Sequence, residues 1–350
     1  MKKTAIAVAV AAVLAAPVAL ADVTISGGLQ AELRSVGGDG NSVRKGLYAT
    51  DAGEYGLENG GNYGFLKFTA SEDLGDGMKA MAVYNMNIHV GDGGTNATNA
   101  TAGLGAREAF VGLSGGFGTV LAGTLSSPYK SSTVGWDPML ATSMQARGNA
   151  GMSTLHNGYV GNALAYANSF GGVKVVAAVV LDEGAKDSNA ASTETNGKHA
   201  TSFSVNAPVG PVEVAVAYIN ASKHSEIVTA ATDNIAATKV GVKWVSGDIT
   251  VAGQYEMLDK GFSATTNDSA AIMYVTGSYK MGNNTISAAY GKADKKLVDN
   301  VNDATYMMVA LNHALSKTTN AFVGYRSSEM SVAGTKDKET TVSAGLRVAF

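Results

Sequence analysis

The chain has 350 residues, of which 45% are hydrophobic and only 16% charged, with 43 glycines, five prolines, no cysteine and a net charge of −3. Soluble domains carry roughly 25% charged residues and about 7% glycine, so this chain is poor in charge and rich in glycine. The composition excludes a disordered chain, a strongly basic nucleic-acid binder and disulfide or thiolate chemistry, and after the first 21 residues no apolar run is long enough for a transmembrane helix.

The first element is a leader. Met1-Lys2-Lys3 is a positive start, Thr4 to Leu14 is an apolar Ala/Val-rich run, Pro17 breaks it, and Ala19-Leu20-Ala21 fits a small-residue cleavage site. This pattern predicts a secretory signal peptide over 1–21. Its removal takes two lysines and moves the net charge from −3 to −5.

From Asp22 onward the pattern has a period of two. In Asp22–Val36, Val23, Ile25, Leu29, Ala31 and Leu33 share one face, and Thr24, Ser26, Gln30, Glu32 and Arg34 share the other. Val212 to Tyr218, Lys239 to Trp244, Ile249 to Met257 and Glu339 to Phe350 alternate in the same way. Segments of about ten residues are long enough to cross a bilayer as tilted strands. Short turns fall at 73–77, 115–118, 171–172, 208–211, 246–248, 282–284 and 315–318, with the Gly, Asn, Asp and Pro that tight hairpins use. Long polar loops separate them near 37–61, 91–104, 127–160, 183–198, 224–236, 260–269, 295–303 and 331–338. Sixteen strands joined by alternating short and long connections predict an all-β fold, a transmembrane antiparallel β-barrel over 22–350. A spanning sheet must close because every backbone polar group in lipid needs a partner. One face of each strand then meets lipid and the other water, which reconciles few charges with the absence of a long apolar segment. Tyr63, Tyr84, Tyr166, Tyr218, Tyr255 and Phe350 are placed for interfacial girdles.

Five stretches, in order, resemble the Gram-negative general diffusion porins, in particular the Neisseria-like trimeric branch. They are Ser71 to Ala80, Ala106 to Gly118, Asn162 to Val173, Ala314 to Thr319 with Val323-Gly324-Tyr325, and Ser343 to Phe350. The resemblance implies a homotrimer in the outer membrane, set among lipid and lipopolysaccharide. It implies passive diffusion of small hydrophilic solutes and ions, with Phe350 as the C-terminal signal read by the barrel-assembly machinery. It also implies that the third loop, 127–160, folds into the lumen as a constriction. A loop of this length without structure of its own is usually functional. It carries Lys130, Trp136, Asp137, Pro138, Arg147 and His156.

In this family acidic groups on that loop face a basic ladder on the wall. Here Thr124 and Ala167 stand where the family has arginines, Gly28 and Gly64 or Phe65 fall near the other comparable places, and the loop keeps one acid, Asp137. The transverse field is therefore expected to be weak. On the polar strand faces, basic Arg34, Lys67, Lys79, Lys174, Lys239, Lys243, Lys280, Arg326 and Arg347 outnumber acidic Glu32, Glu213 and Glu256. That count predicts a weak anion preference. The expected waist residues are Trp136, Asp137, Arg147, Thr124, Arg34, Lys67 and Arg326.

Nothing in the chain points to catalysis, a cofactor, a metal or nucleic acid. Gly112-Leu113-Ser114-Gly115-Gly116 fits G-x-S-x-G, but it sits at a strand-to-strand turn rather than a strand-to-helix elbow. The five histidines, His89, His156, His199, His224 and His313, have no metal-ligand spacing. Asp92-Gly93-Gly94 and Asp187-Ser188-Asn189 complete no calcium loop. The rival readings are a substrate-selective outer-membrane channel and a surface adhesin or phage-receptor barrel.

Overall fold

The computed structural model describes residues 21–38, 44–49, 64–88, 106–149, 151–156, 159–181, 199–222, 234–259, 269–294, 301–332 and 335–350. The expected signal peptide, apart from Ala21, lies outside them. So do Tyr63, His89, His224, the Asp92 and Asp187 motifs and most of the long polar loops.

Seventeen strands form one sheet: β1 (Asp22–Gly38), β2 (Arg44–Ala49), β3 (Phe65–Gly75), β4 (Met78–Asn87), β5 (Ala106–Gly115), β6 (Gly118–Leu125), β7 (Val160–Phe170), β8 (Val173–Val180), β9 (Ala200–Val209), β10 (Val212–Ala221), β11 (Ile235–Ser246), β12 (Ile249–Leu258), β13 (Ala270–Met281), β14 (Asn284–Asp294), β15 (Val301–Ala314), β16 (Thr319–Val332) and β17 (Thr335–Ala349). Each strand from β3 onward pairs antiparallel with the next, and β17 returns to β1. One edge of β1 is shared. Asp22–Gly28 pairs with β3 and Ala31–Val36 with β2, so β2 and β3 are two pieces of one stave. The ring therefore has sixteen staves and no open edge. The seam is sealed by Gly27 N–H to the Phe350 carbonyl (2.9 Å) and Phe350 N–H to the Gly27 carbonyl (3.0 Å).

Two loops differ from expectation. Residues 44–49, expected inside a long loop, form β2, because the pairing of β3 stops at Gly28 and leaves that edge of β1 open over Ala31–Val36. Of the eighth expected loop, 331–338, the described residues are strand rather than loop. β16 and β17 stay paired out to Val332 and Thr335, and Glu329 and Lys336 form an ion pair across them. The short turns fall as expected. Between β7 and β8, Gly171 and Gly172 adopt φ +56° and +87°. A two-residue turn with both central φ positive matches strand twist and favours glycine.

The alternation sorts the two faces. On β12, Ile249, Val251, Tyr255 and Met257 point outward and are exposed, while Ala252, Gln254, Glu256 and Leu258 are buried inside. On β13, Met273 and Val275 face out and Ile272, Tyr274 and Thr276 face in. The buried core lies within the barrel rather than between layers. It is formed where the chain from Ser126 to Tyr159 folds into the lumen and packs on the wall. Among the described residues, no helix is long and apolar enough to cross a membrane.

Candidate functional site: the lumen and its infolded segment

The segment begins with a one-turn helix, α1 (Pro128–Ser131). Ser127 caps it, its Oγ accepting from Lys130 N–H at 3.1 Å, and Pro128 supplies a preset first position. A 3₁₀ turn follows at Val134–Trp136. Asp137 then closes the next stretch on itself. Its Oδ1 accepts from Met139 N–H (3.0 Å) and its Oδ2 from Ala146 N–H (2.6 Å). Burial pushes this carboxyl up to about 6, although the two amides oppose the shift. The Ala146 carbonyl gathers the amides of Asn149, Gly151 and Met152. A second 3₁₀ turn, Thr154–His156, leads back to the wall.

Polar clasps fix the segment to the strands. The deepest is at β11 and β12, where Glu256 is fully buried. It accepts from Tyr129 Oη (2.9 Å), Ser153 N–H (3.2 Å), Ser153 Oγ (2.5 Å) and Gln254 Nε2 (2.7 Å). Beside it, Lys239 Nζ donates to the Tyr129 carbonyl (2.5 Å) and to His156 Nε2 (2.8 Å). Burial, and then the Lys239 charge, hold His156 well below the usual imidazole range. A neutral ring fits its neighbours, with Nδ1 near the Ser153 carbonyl (3.3 Å). The second clasp is on β1 and β17. Both Glu32 oxygens accept from Ser143 N–H (3.1 Å each). Gln30 donates to the Ala141 carbonyl (2.8 Å), and Arg347 to the Leu140 and Ala141 carbonyls (3.1 and 3.2 Å). Tyr306 on β15 donates to the Met144 carbonyl (2.5 Å).

Apolar packing fills the space between clasps. Met139, Met144, Met152 and Leu155 are buried among Ile219, Leu258, Ile272, Tyr274, Tyr306 and Met308. Burying each such side chain is worth about 1.5–3 kcal/mol before the entropy of ordering the segment is counted. On β11, Gly241 lies under Trp136; a Cβ there would come within 2.6 Å of the indole. Lys243 sits over the same ring at 5.4 Å and pairs with Glu213.

The segment thus covers the wall from β9 through β17 to β1. Among the described residues, the contacts of the segment with the wall of β3 to β8 lie near its start and at Tyr159. On that side Lys67, Asn85 and Glu108 form one row across β3, β4 and β5. Asn85 Nδ2 reaches Glu108 Oε2 at 3.5 Å. Lys174 is exposed on β8. Between Asn85 and Met86 the β4–β5 register shifts, leaving Arg107 as the extra residue. Such a bulge re-aims a side chain, and Arg107 turns to the lumen, its NH2 donating to Tyr159 Oη at 3.0 Å.

The expected waist residues separate into groups. Trp136, Asp137 and Arg147 share the infolded segment. Asp137 is buried in its backbone clasp. Arg147 is half-buried, donating from Nε to Gln145 Oε1 (3.0 Å) and from NH1 to the His156 carbonyl (3.2 Å). Arg34 is buried on β1, in register with Ser343. Arg326 is fully buried on β16, donating to Thr341 Oγ1 (3.0 Å) and pairing with Glu339. Lys67 is half-buried on the uncovered wall. Thr124 lies at an irregularity of β6, opposite Ala109 and beside the register shift between Gly123 and Leu125. Arg107 and Tyr159 are not among the expected residues. Strict alternation puts Arg107 on the face opposite Glu108, and only the bulge brings it inside. Phe350 is at the barrel seam, exposed on its outer side.

The family described as Gram-negative porin matches residues 5–332. Major outer membrane protein P.IB of Neisseria gonorrhoeae is 38% identical over 133 residues, covering 37% of this chain and 34% of that protein. Major outer membrane protein P.IA of Neisseria meningitidis is 38% identical over 74 residues, covering 21% of this chain and 17% of that one. The matched stretch therefore spans about a third or less of these curated relatives. Among solved structures, the anion-selective porin from Comamonas acidovorans superposes with a TM-score of 0.73 at 19% identity, covering 95% of this chain and all of that one. The trimer form of OmpT from Vibrio cholerae gives 0.64 at 12% identity over 94% and 99%. At these identities the likeness is one of fold.

Proposed function

Given that the chain belongs to the Gram-negative porin family, we infer that it forms a water-filled channel in the outer membrane through which small hydrophilic solutes and ions diffuse. The observation that carries this reading is a closed barrel whose infolded segment clings to ten of the sixteen staves and, among the described residues, leaves the other six, β3 to β8, largely uncovered. No step of bond chemistry is involved. Solutes are selected by the width left beside the segment and by the charges that line it. The constriction is formed by the chain from Ser127 to Val160, with Trp136 and Arg147 at its surface and Asp137 as its internal brace.

Lys67, Lys174 and Arg107 on the uncovered wall give the passage a positive lean, which favours anions. The Comamonas neighbour is named as anion-selective, which agrees in sign. The homotrimer, suggested by a neighbour solved in trimer form, belongs to the same proposal. So do contact with outer-membrane lipid and lipopolysaccharide, and insertion by the barrel-assembly machinery through the strand ending at Phe350. Purified protein in a planar bilayer should give stepwise, non-saturating chloride conductance, and a salt gradient should give a reversal potential favouring anions. Electrical silence contradicts the channel, and a cation-favouring potential contradicts the lean. Conductance that saturates with one solute selects the substrate-selective alternative.

A further inference from the structure

We propose that Arg107, Lys130 and Arg147, gathered around Tyr159, form a binding station for a small oxyanion at the edge of the passage; this rests on the channel reading above. The three cations come from separate parts of the chain. Arg107 is delivered by the β5 bulge, Lys130 by α1 at the start of the infolded segment, and Arg147 by its returning arm. Tyr159, the last residue before β7, is their common neighbour. The Arg107 guanidinium lies 5.5 Å from its ring centroid and 6.0 Å from that of Phe65, and Lys130 Nζ lies 3.9 Å from the Tyr159 centroid.

Charge and hydrogen bonding both point to an anion. Lys130 is buried, and burial followed by the fields of Arg147 and Arg107 pushes its ammonium down to about 7. Burial also lowers Arg147, and Arg107 adds to that effect. Two carboxylates act on this group, Glu108 on Lys130 and Asp137 on Arg147, so three basic side chains face two acids. Glu108 meets Asn85, and Asp137 is held by the Met139 and Ala146 amides. His156, on the far side, is neutral. The cluster therefore holds more positive charge than its surroundings offset, in a place where water is partly excluded and charges interact strongly.

Arg107 Nε is buried and makes no hydrogen bond among the described residues. Buried donors in folded proteins are nearly all paired, so this one is an address for an acceptor. A guanidinium presents parallel donors matched to two oxygens of one oxyanion, and lysine adds a point charge. The ligand class is a sulfate-, phosphate- or carboxylate-bearing solute in transit.

Sulfate is the probe, because its charge is constant across neutral pH. Chloride conductance of the reconstituted protein should fall saturably as sulfate is added. Arg107→Gln and Lys130→Gln should each raise the half-effect concentration about tenfold, as expected for losing one charge-assisted hydrogen bond. Lys317→Gln, in a short turn far from the cluster, removes the same charge and should leave the effect intact. In the parent the sulfate effect should weaken between pH 6 and pH 8 as Lys130 loses its proton, and in Lys130→Gln this dependence should shrink to the smaller part that Asp137, raised to about 6, contributes through Arg147. Bilayers with and without anionic lipid should give the same curve if the ligand is a solute; a lipid-dependent curve overturns the assignment to a transiting solute. A sulfate effect that is linear, or unchanged in both variants, overturns the station. Absence of any conductance in the parent overturns the channel reading itself.

Discussion

The two parts of the lumen wall, ten staves and six, use similar side chains for different ends. From β9 through β17 to β1, the charged and polar groups are spent on the infolded segment. Glu256, Lys239, Glu32, Gln30 and Arg347 all bond to its backbone or side chains. From β3 to β8, Lys67, Glu108, Arg107 and Lys174 are on the side that the segment leaves, and none of them is fully buried. A charge on an inward strand position therefore does not by itself tune the passage, because on the larger part of the wall it is structural. The net charge of the chain says even less about what a solute meets.

This contrast is broken most severely at Glu256. Glu256→Ala removes the acceptor of four hydrogen bonds and leaves Lys239 buried without its nearby carboxylate. The loss should be about 3 kcal/mol in docking of the segment. Amide exchange over residues 139–156 should rise while that of the β-ladder stays slow. Unchanged exchange there would mean that the clasp does not hold the segment.

Gly241→Val comes next. Its side chain would enter the space of the Trp136 ring, and overpacking of this kind costs about 1–3 kcal/mol. Displacement of Trp136 should shift its fluorescence to the red when read in a Trp244→Phe background, since the chain has two tryptophans. An unshifted spectrum would place Trp136 elsewhere.

His156 gives a smaller effect that depends on pH. Its docked form is held well below the usual range, so a released segment takes up a proton that the docked one does not. Docking is at full strength above about pH 6.5 and weakens as pH falls further, by about 1 kcal/mol at pH 5.5. Asp137, raised to about 6, acts in the opposite sense. Comparing the parent with His156→Gln cancels the Asp137 contribution. Segment exchange in the parent should accelerate on acidification more than in the variant, and parallel curves would contradict the assignment.

Lys67→Gln should be the mildest in stability and the most specific in function. It touches no clasp, so segment exchange should not change, while the anion-to-cation permeability ratio should fall. The same substitution at Lys239 should do the reverse, loosening the segment.

Much of the barrel was legible in the sequence because a lipid-facing and a water-facing row must alternate along every strand. Val251, Tyr255 and Met257 against Ala252, Gln254 and Glu256 state the strand, its length and its two faces without reference to any other residue. The interior was harder to read. Inward Ile219, Ile272 and Met308 look like faults in a polar face until Met139, Met144 and Met152 are seen packed against them. Asp137 has the composition of a filter residue, and only the positions of the Met139 and Ala146 amides reveal its bracing role. Arg107 was hidden by a one-residue bulge, which reverses parity and leaves no mark in local composition. Loop packing and bulges depend on contacts far apart in the chain, and a period-two pattern carries no information about them.

The central claim, that solutes pass along β3 to β8 while the rest of the inner wall is covered, is tested most directly by single introduced thiols. The chain has no cysteine, so the background is silent. Lys67→Cys and Ala289→Cys place one thiol on the uncovered and one on the covered wall. A small water-soluble thiol reagent should reduce the single-channel current of Lys67→Cys and leave that of Ala289→Cys unchanged. Equal block at both positions, or block at Ala289 alone, would contradict the account.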